Sequence, residues 1–196
     1  IGANKGQFSL AARYIYPQAK IICFEPLVLP AKKFRKFFAE DKKIMLYQTA
    51  IGPKNKTVSM HVSERNDSSS LLPIGEKQIN IFPGTKEVTL EEISVAPLNN
   101  FVKIEDFSSP TLVKIDVQGY ELEVLKGCYD FIEKFNYIYV ECSFVELYEG
   151  QALLHEIISY LQELLFNIKG VYNMYYDKNG VAVQADFLFI RNYESL

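Results

Sequence analysis

Apolar and polar positions follow two rhythms along this chain, and the change between them divides it. Phe8, Leu10, Ala11, Ala12, Tyr14 and Ile15 predict an apolar helix that Pro17 ends, since a prolyl nitrogen has no proton to continue the ladder. Lys20 to Phe24 is a short apolar run, as expected of a strand covered on both faces. Pro26 and Pro30 open a second helix with Phe34, Phe37 and Phe38 on one stripe and Arg35 and lysines opposite. Ile44 to Ala50 predicts a further strand, ended by Gly52-Pro53. This is the grammar of a doubly wound, parallel α/β sheet.

Beyond Pro53 the pattern becomes extended and more polar. Thr57 to Val62 alternates like a half-exposed strand, Asn66 to Ser70 is a polar loop, residues 75–84 give no clear period, and Glu87 to Val95 is again extended. Residues 53–100 are therefore expected to form an antiparallel β insertion beside the ligand cleft, too short and polar to be a second domain. The parallel grammar returns with the buried strand and turn at Thr111 to Glu121, then a helix with Leu122, Leu125, Tyr129 and Ile132 on one face. A strand at Tyr137 to Cys142 follows, then an amphipathic helix carrying Leu153, Leu154, Ile157, Ile158, Leu161, Leu164 and Leu165. Two strands at about Ile168 to Tyr175 and Ala185 to Ile190 flank the turn Asp177-Lys178-Asn179-Gly180.

Composition narrows the classes. With 196 residues, 48% of them apolar, the chain suits one domain with a sizeable core. Twenty-one basic against 24 acidic residues, with no cluster beyond Lys32-Lys33 and Lys42-Lys43, leave no electrostatic footprint for nucleic acid. Cys23, Cys128 and Cys142 lie far apart in apolar surroundings, which argues for a reducing, cytoplasmic setting without a zinc site. No apolar run reaches membrane-spanning length. The chain opens on Ile1 inside what should be a strand-to-loop junction, so an N-terminal portion is expected to precede it.

The candidate chemistry begins in the first residues. Gly2-Ala3-Asn4-Lys5-Gly6 is a glycine-rich loop opening a helix, whose free N–H groups would face a ligand. Glu25 follows the next strand, where a carboxylate can accept both hydroxyls of a ribose. Asn4 stands where a dinucleotide fingerprint needs its second glycine, so a nucleoside with a small zwitterionic tail, such as S-adenosylmethionine, fits at least as well as a pyrophosphate. Glu25, Ala50-Ile51, Asp116 and Glu141 all fall at predicted strand ends, where ligands bind in open α/β sheets. Asp116 reads either as a cleft carboxylate or as a helix cap, Lys114 is its possible partner, and Glu121 reads as an ordinary first-turn acid. His61 and His155 have no spaced partners.

The blocks Gly2-Ala3-Asn4-Lys5-Gly6-Gln7-Phe8-Ser9, Phe24-Glu25-Pro26, Ala50-Ile51-Gly52 and, most specifically, Leu112 to Glu121 followed by Val124-Leu125-Lys126-Gly127 resemble those of the FkbM-type methyltransferases. The resemblance covers about residues 1–142. It implies a Rossmann-like class I methyltransferase sheet, mostly parallel and seven-stranded with an antiparallel last strand, and S-adenosylmethionine-dependent O-methylation of a sugar, polyketide or related metabolite. It also implies that Gly2, Asn4 and Gly6 face the methionine portion, Glu25 the ribose and Ala50-Ile51 the adenine. Ala3, Phe8, Ser9 and Pro26 belong to the same cofactor-binding segments, Ser69 to a segment closing on the cofactor, and Asp116 stands near the transferable methyl. The acidic residue that the family carries just before the first glycine is missing here. Asp116 or Glu141 would serve as general base; a Mg²⁺ ion held by the two carboxylates ranks second, since no full oxygen cage is visible. The rival readings are an NAD- or nucleotide-sugar-dependent enzyme and a non-catalytic interaction module of the same fold.

Overall fold

The computed structural model describes residues 1–192. Helix α1 (Gln7–Ile15) leads to β1 (Ile21–Phe24), α2 (Val28–Phe37) and β2 (Ile44–Tyr47), with β1 and β2 paired in parallel. β3 (Ala50–Ile51) is a separate two-residue strand. The predicted single strand from Ile44 to Ala50 therefore breaks at Gln48-Thr49. Thr49 turns its hydroxyl to the Ser94 carbonyl (2.9 Å), and Ala50 and Ile51 pair in parallel with Val95 and Ala96.

The insertion is an antiparallel hairpin of β4 (Lys56–Ser63) and β5 (Glu87–Ala96), with α3 (Glu76–Ile81) in between, where apolar positions show no clear period. It packs a small cluster of its own, Met60, Val62, Ile93 and Val95, against Leu27. The remaining elements are β6 (Leu112–Ile115), α4 (Glu121–Gly127), β7 (Tyr137–Ser143), α5 (Leu154–Glu163), β8 (Phe166–Tyr176) and β9 (Ala182–Arg191). They form a four-stranded sheet ordered β6-β7-β9-β8, with β6 and β7 parallel and the last strand, β9, antiparallel to both neighbours.

The expected single seven-stranded sheet is thus divided into three smaller sheets of mixed strand order. The main chain of Ile1, Gly2 and Ala3 lies between two of them. Ile1 bonds on one side to Lys114 O and Asp116 N–H, and Gly2 and Ala3 both donate on the other to Phe24 O.

One face of the four-stranded sheet presents Ile138, Val140, Cys142, Ala185, Phe187 and Phe189 to a core shared with Val124, Leu125, Ile157 and Leu161 of α4 and α5. Each Val, Leu, Ile or Phe among them, fully buried, contributes about 1.5–3 kcal/mol. The alternate positions, among them Lys114, Tyr139, Glu141 and Asp186, are only half-buried.

Three predicted apolar stripes pack differently. Phe8, Leu10, Tyr14 and Ile15 of α1 are exposed, because the helix turns the side of Ser9, Ala12 and Arg13 inward and its apolar face outward; Phe8 instead stacks on Tyr139 (6.1 Å) and sits under the Lys114 ammonium (5.7 Å). On α2, Phe34 and Phe38 are buried and Phe37 turns outward. Tyr129 is exposed because α4 stops at Gly127 and the chain winds on as a 3₁₀ turn, whose larger step per residue rotates it off the stripe. α4 approaches β3 very closely: a Cβ on Gly127 would lie 2.6 Å from the Gly52 carbonyl.

Candidate functional site

A cleft of about 640 Å³, counting its open mouth, lies at the carboxyl ends of β1, β3 and β6. Its lining includes Gly2, Asn4, Glu25, Pro26, Ala50, Ile51, Ser69 and Asp116 of the residues singled out in the sequence. These come from five separate stretches, and the parallel strand ends gather them.

The loop at one wall needs its glycine. Gly2 has φ +77°, and a Cβ there would fall 1.8 Å from the Asp116 carbonyl oxygen. Asn4 is also left-handed at φ +48°, which aims its N–H at Glu25 Oε2 (2.8 Å). Glu25 Oε1 accepts from Leu27 N–H (2.9 Å), so two backbone donors orient the carboxylate, and burial pushes its pKa up. The Asn4 side-chain oxygen is buried in the same wall and finds no protein donor.

Four members expected in the cofactor-binding segments do not line the cleft. Ala3 packs in the small cluster of Cys23, Phe34 and Phe38, and Gly6, φ +98°, is glycine because a Cβ would meet the Phe38 ring at 2.5 Å. Ser9 lies against Cys23 Sγ (3.3 Å), and Phe8 rests on Tyr139.

Asp116 stands just past the end of β6 with one oxygen on Lys114 Nζ (2.7 Å), so the two residues two positions apart on one face do pair. Its other oxygen accepts from the Gln118 amide (2.7 Å), which also donates to Glu141 Oε2 (3.0 Å). Glu141 is therefore one hydrogen-bonded step behind Asp116 and does not itself line the cleft. Its second oxygen accepts from Gln184 Nε2 (2.9 Å), and burial, then the nearby Asp116 charge, raises its pKa well above the usual carboxyl range.

Glu121 is more than a first-turn acid. It is buried and its Oε1 accepts from both Val117 N–H (3.2 Å) and Gly119 N–H (3.0 Å), holding the turn that carries Gln118. Burial raises its pKa to about 7 from the ordinary 4.5. The folded state therefore binds this proton more tightly than the unfolded chain. The stabilisation is full below pH 4.5 and is lost as pH rises through about 7. Its size is about 3 kcal/mol. Glu121→Gln should flatten that part of the stability profile, removing a loss of roughly 6–12 °C in melting temperature between the two ends of the window. Thermal melts of both proteins across it provide the check; an unchanged slope refutes the assignment.

Thr49, Met60, Asn66, Asp67, Leu71 and Tyr120 also line the cleft, and Tyr148 reaches Gln118 from behind, none of them assigned a role from sequence. Gln118 and Tyr120 stood inside the most specific sequence block, which was the available signal; Tyr148 lies beyond it and carried none.

A mixed α/β fold with a cleft at parallel strand ends, walled by a glycine turn and two strand-end carboxylates, is the arrangement in which α/β sheets bind their ligands. The Methyltransferase FkbM domain model matches residues 1–168, and the chain belongs to that family; it is a methyltransferase domain. It is 26% identical over 167 residues to the 2-O-methyltransferase NoeI of Sinorhizobium fredii (strain NBRC 101917 / NGR234), covering 82% of this chain and 69% of that protein. It is 24% identical over 144 residues to Methyltransferase 1 of Beauveria bassiana (strain ARSEF 2860), covering 66% and 57%. The crystal structure of Methyltransferase FkbM from Methylobacillus flagellatus KT superimposes with a TM-score of 0.59 at 15% identity, over 95% of this chain and 41% of that one. The chain thus spans less than half of that crystallised protein. The three cysteines are free and buried, and among the described residues no helix is long and apolar enough to cross a membrane.

Proposed function

We propose that this chain is an S-adenosylmethionine-dependent O-methyltransferase domain acting on a hydroxyl of a sugar, polyketide or related small metabolite. The observation that carries the reading is the convergence of Gly2, Asn4, Glu25 and Asp116 on one cleft. The residues present fit the cofactor. The buried, unpartnered Asn4 oxygen calls for a donor, which an ammonium group supplies, and each Glu25 oxygen keeps a lone pair for a ribose hydroxyl beyond its backbone bond. Ala50 and Ile51 offer an apolar wall to the adenine, with Pro26 and Ser69 flanking. The short rung at residues 1–3 gives the sheet seven positions, ordered β2, β1, the rung, β6, β7, β9, β8, which is our reading of the fold behind the cleft.

When bound, S-adenosylmethionine supplies an activated methyl group. The chain's part is to hold the acceptor hydroxyl in line with it and to take the hydroxyl proton. Asp116 lines the cleft and is the acceptor of that proton, and Glu141 supports it from behind. The name of the rhizobial relative, a 2-O-methyltransferase, supports a hydroxyl as the nucleophile.

Calorimetric titration with S-adenosylmethionine, and with NAD in parallel, tests the reading. Binding of the first alone is expected, and Glu25→Gln should weaken it by roughly 10-fold, the worth of one charge-assisted hydrogen bond. Binding of NAD alone, or of neither, overturns the proposal. A methyl-transfer screen over hydroxylated acceptors follows.

A further inference from the structure

Gln118 holds a backbone conformation that glutamine rarely adopts. Its φ is +58°, in the left-handed region, and such strain persists only where the surroundings over-determine it. Here they do. Ser70 Oγ donates to the Gln118 carbonyl (2.5 Å), and Glu121 takes the N–H groups on either side of it. A Cβ on Gly119 would press on Tyr148 and Gln151 at 3.1–3.2 Å.

This turn fixes where the side chain goes. Nε2 spends one proton on Asp116 Oδ1 (2.7 Å) and the other on Glu141 Oε2 (3.0 Å), while Oε1 faces the Tyr148 hydroxyl at 2.8 Å. Asp116 follows the end of β6 and Glu141 lies on the neighbouring β7, and only Asp116 lines the cleft. Tyr148 is buried and lies 3.1 Å from Ser68 O as well, so its single proton serves one acceptor at a time; given to Gln118, it keeps the amide oxygen turned away from the carboxylates. A carboxylate at position 118 would add a third acceptor with nothing to donate, and an alkyl group would leave both acids without this donor.

We propose that Gln118 is the positioning residue of this site, an uncharged clamp whose two amide protons aim the Asp116 carboxylate into the cleft by tying it to Glu141 on the next strand. The proposal rests on the reading of Asp116 as proton acceptor. Lys114 holds the far oxygen of Asp116 and Gln184 the far oxygen of Glu141, so the unit is braced at both ends. The charged groups facing Glu141 are Lys114 from β6, Asp116 just past its end, Glu121 from α4 and Asp186 from β9.

The test uses the whole chain as Gln118→Leu, Gln118→Glu and the milder Tyr148→Phe. The Glu141 carboxyl is followed by ¹³C NMR across pH and assigned with Glu141→Gln, alongside S-adenosylmethionine affinity and the pH profile of methyl transfer to a hydroxyl acceptor from the screen. In Gln118→Leu the Glu141 midpoint should rise, since a donor to the ionised form is gone. Methyl transfer should fall about 100-fold with cofactor affinity kept within about threefold. Gln118→Glu should raise the midpoint further and move the acidic limb of the rate profile upward; Tyr148→Phe should shift both in the same direction by less. An unmoved Glu141 midpoint in folded Gln118→Leu or Gln118→Glu overturns the clamp. So does loss of rate and cofactor binding together in Gln118→Leu, with Gln118→Glu and Tyr148→Phe leaving the pH profile in place, which is the behaviour of a merely structural residue. The NMR arm needs neither donor nor acceptor. A wild-type chain that binds no S-adenosylmethionine therefore refutes the proposed function, while the Glu141 titration still decides the clamp.

Discussion

Asp116→Asn is expected to lower methyl transfer by about 10³-fold, inside the range assigned to a positioned general base, while S-adenosylmethionine binds within about threefold. Asparagine keeps the size of the side chain and one acceptor oxygen but cannot take up a proton. It also sets a second amide against the Gln118 amide and removes the anion that Lys114 holds at 2.7 Å, so the side chain turns from its present aim. The cofactor contacts proposed for Asn4, Glu25 and the Ala50-Ile51 wall come from other segments of the chain and should survive. Single-turnover transfer and calorimetry on the same preparation separate the two effects. Full activity in this variant removes Asp116 from the chemistry.

Gly2→Ala should do broader damage, abolishing measurable cofactor binding and lowering the melting temperature. Two costs combine at this position. A left-handed φ of +77° penalises any Cβ by about 1–2 kcal/mol, and the added carbon would sit 1.8 Å from the backbone oxygen of Asp116. Backbone cannot swing aside as a side chain can, so the strand end carrying Asp116 must move. Gly180→Ala is the matched control: φ is +79° there, with nothing within 4 Å of the added atom, and only the conformational cost applies. Equal melting temperatures and undiminished cofactor affinity for Gly2→Ala would show that the wall is softer than its geometry implies.

Much of this site was legible because it is written where strands end. Glu25, Ala50-Ile51 and Asp116 each follow an apolar run, and a parallel arrangement brings such positions together whatever the details of packing. Gly6 could not be separated from Gly2 in the same way. A glycine that lets a ligand approach and one that makes room for Phe34 and Phe38 look identical in a sequence, since both report only the absence of a Cβ. Glu121 had the spacing of a first-turn acid, and its grip on Val117 and Gly119 depends on the left-handed turn at residues 118–119, which apolar periodicity does not encode. Glu141 was placed at the cleft by its position near a strand end; the structure sets it behind Gln118 because the glutamine side chain fills the space between. The stripe on α1 misled because the helix packs through the side of Ser9 and Arg13 and leaves its apolar face outside, an inversion that periodicity does not reveal.

The contact of Gly127 with Gly52 joins the base of α4 to the strand carrying Ala50 and Ile51, peptide against peptide. A joint made of main chain has no rotamers through which to adjust, so the bore of the pocket at this point behaves as a fixed gauge. Variation in what the domain admits is thereby displaced toward its rim, to the exposed positions of the β4–β5 hairpin, where side chains can be exchanged without resetting the frame.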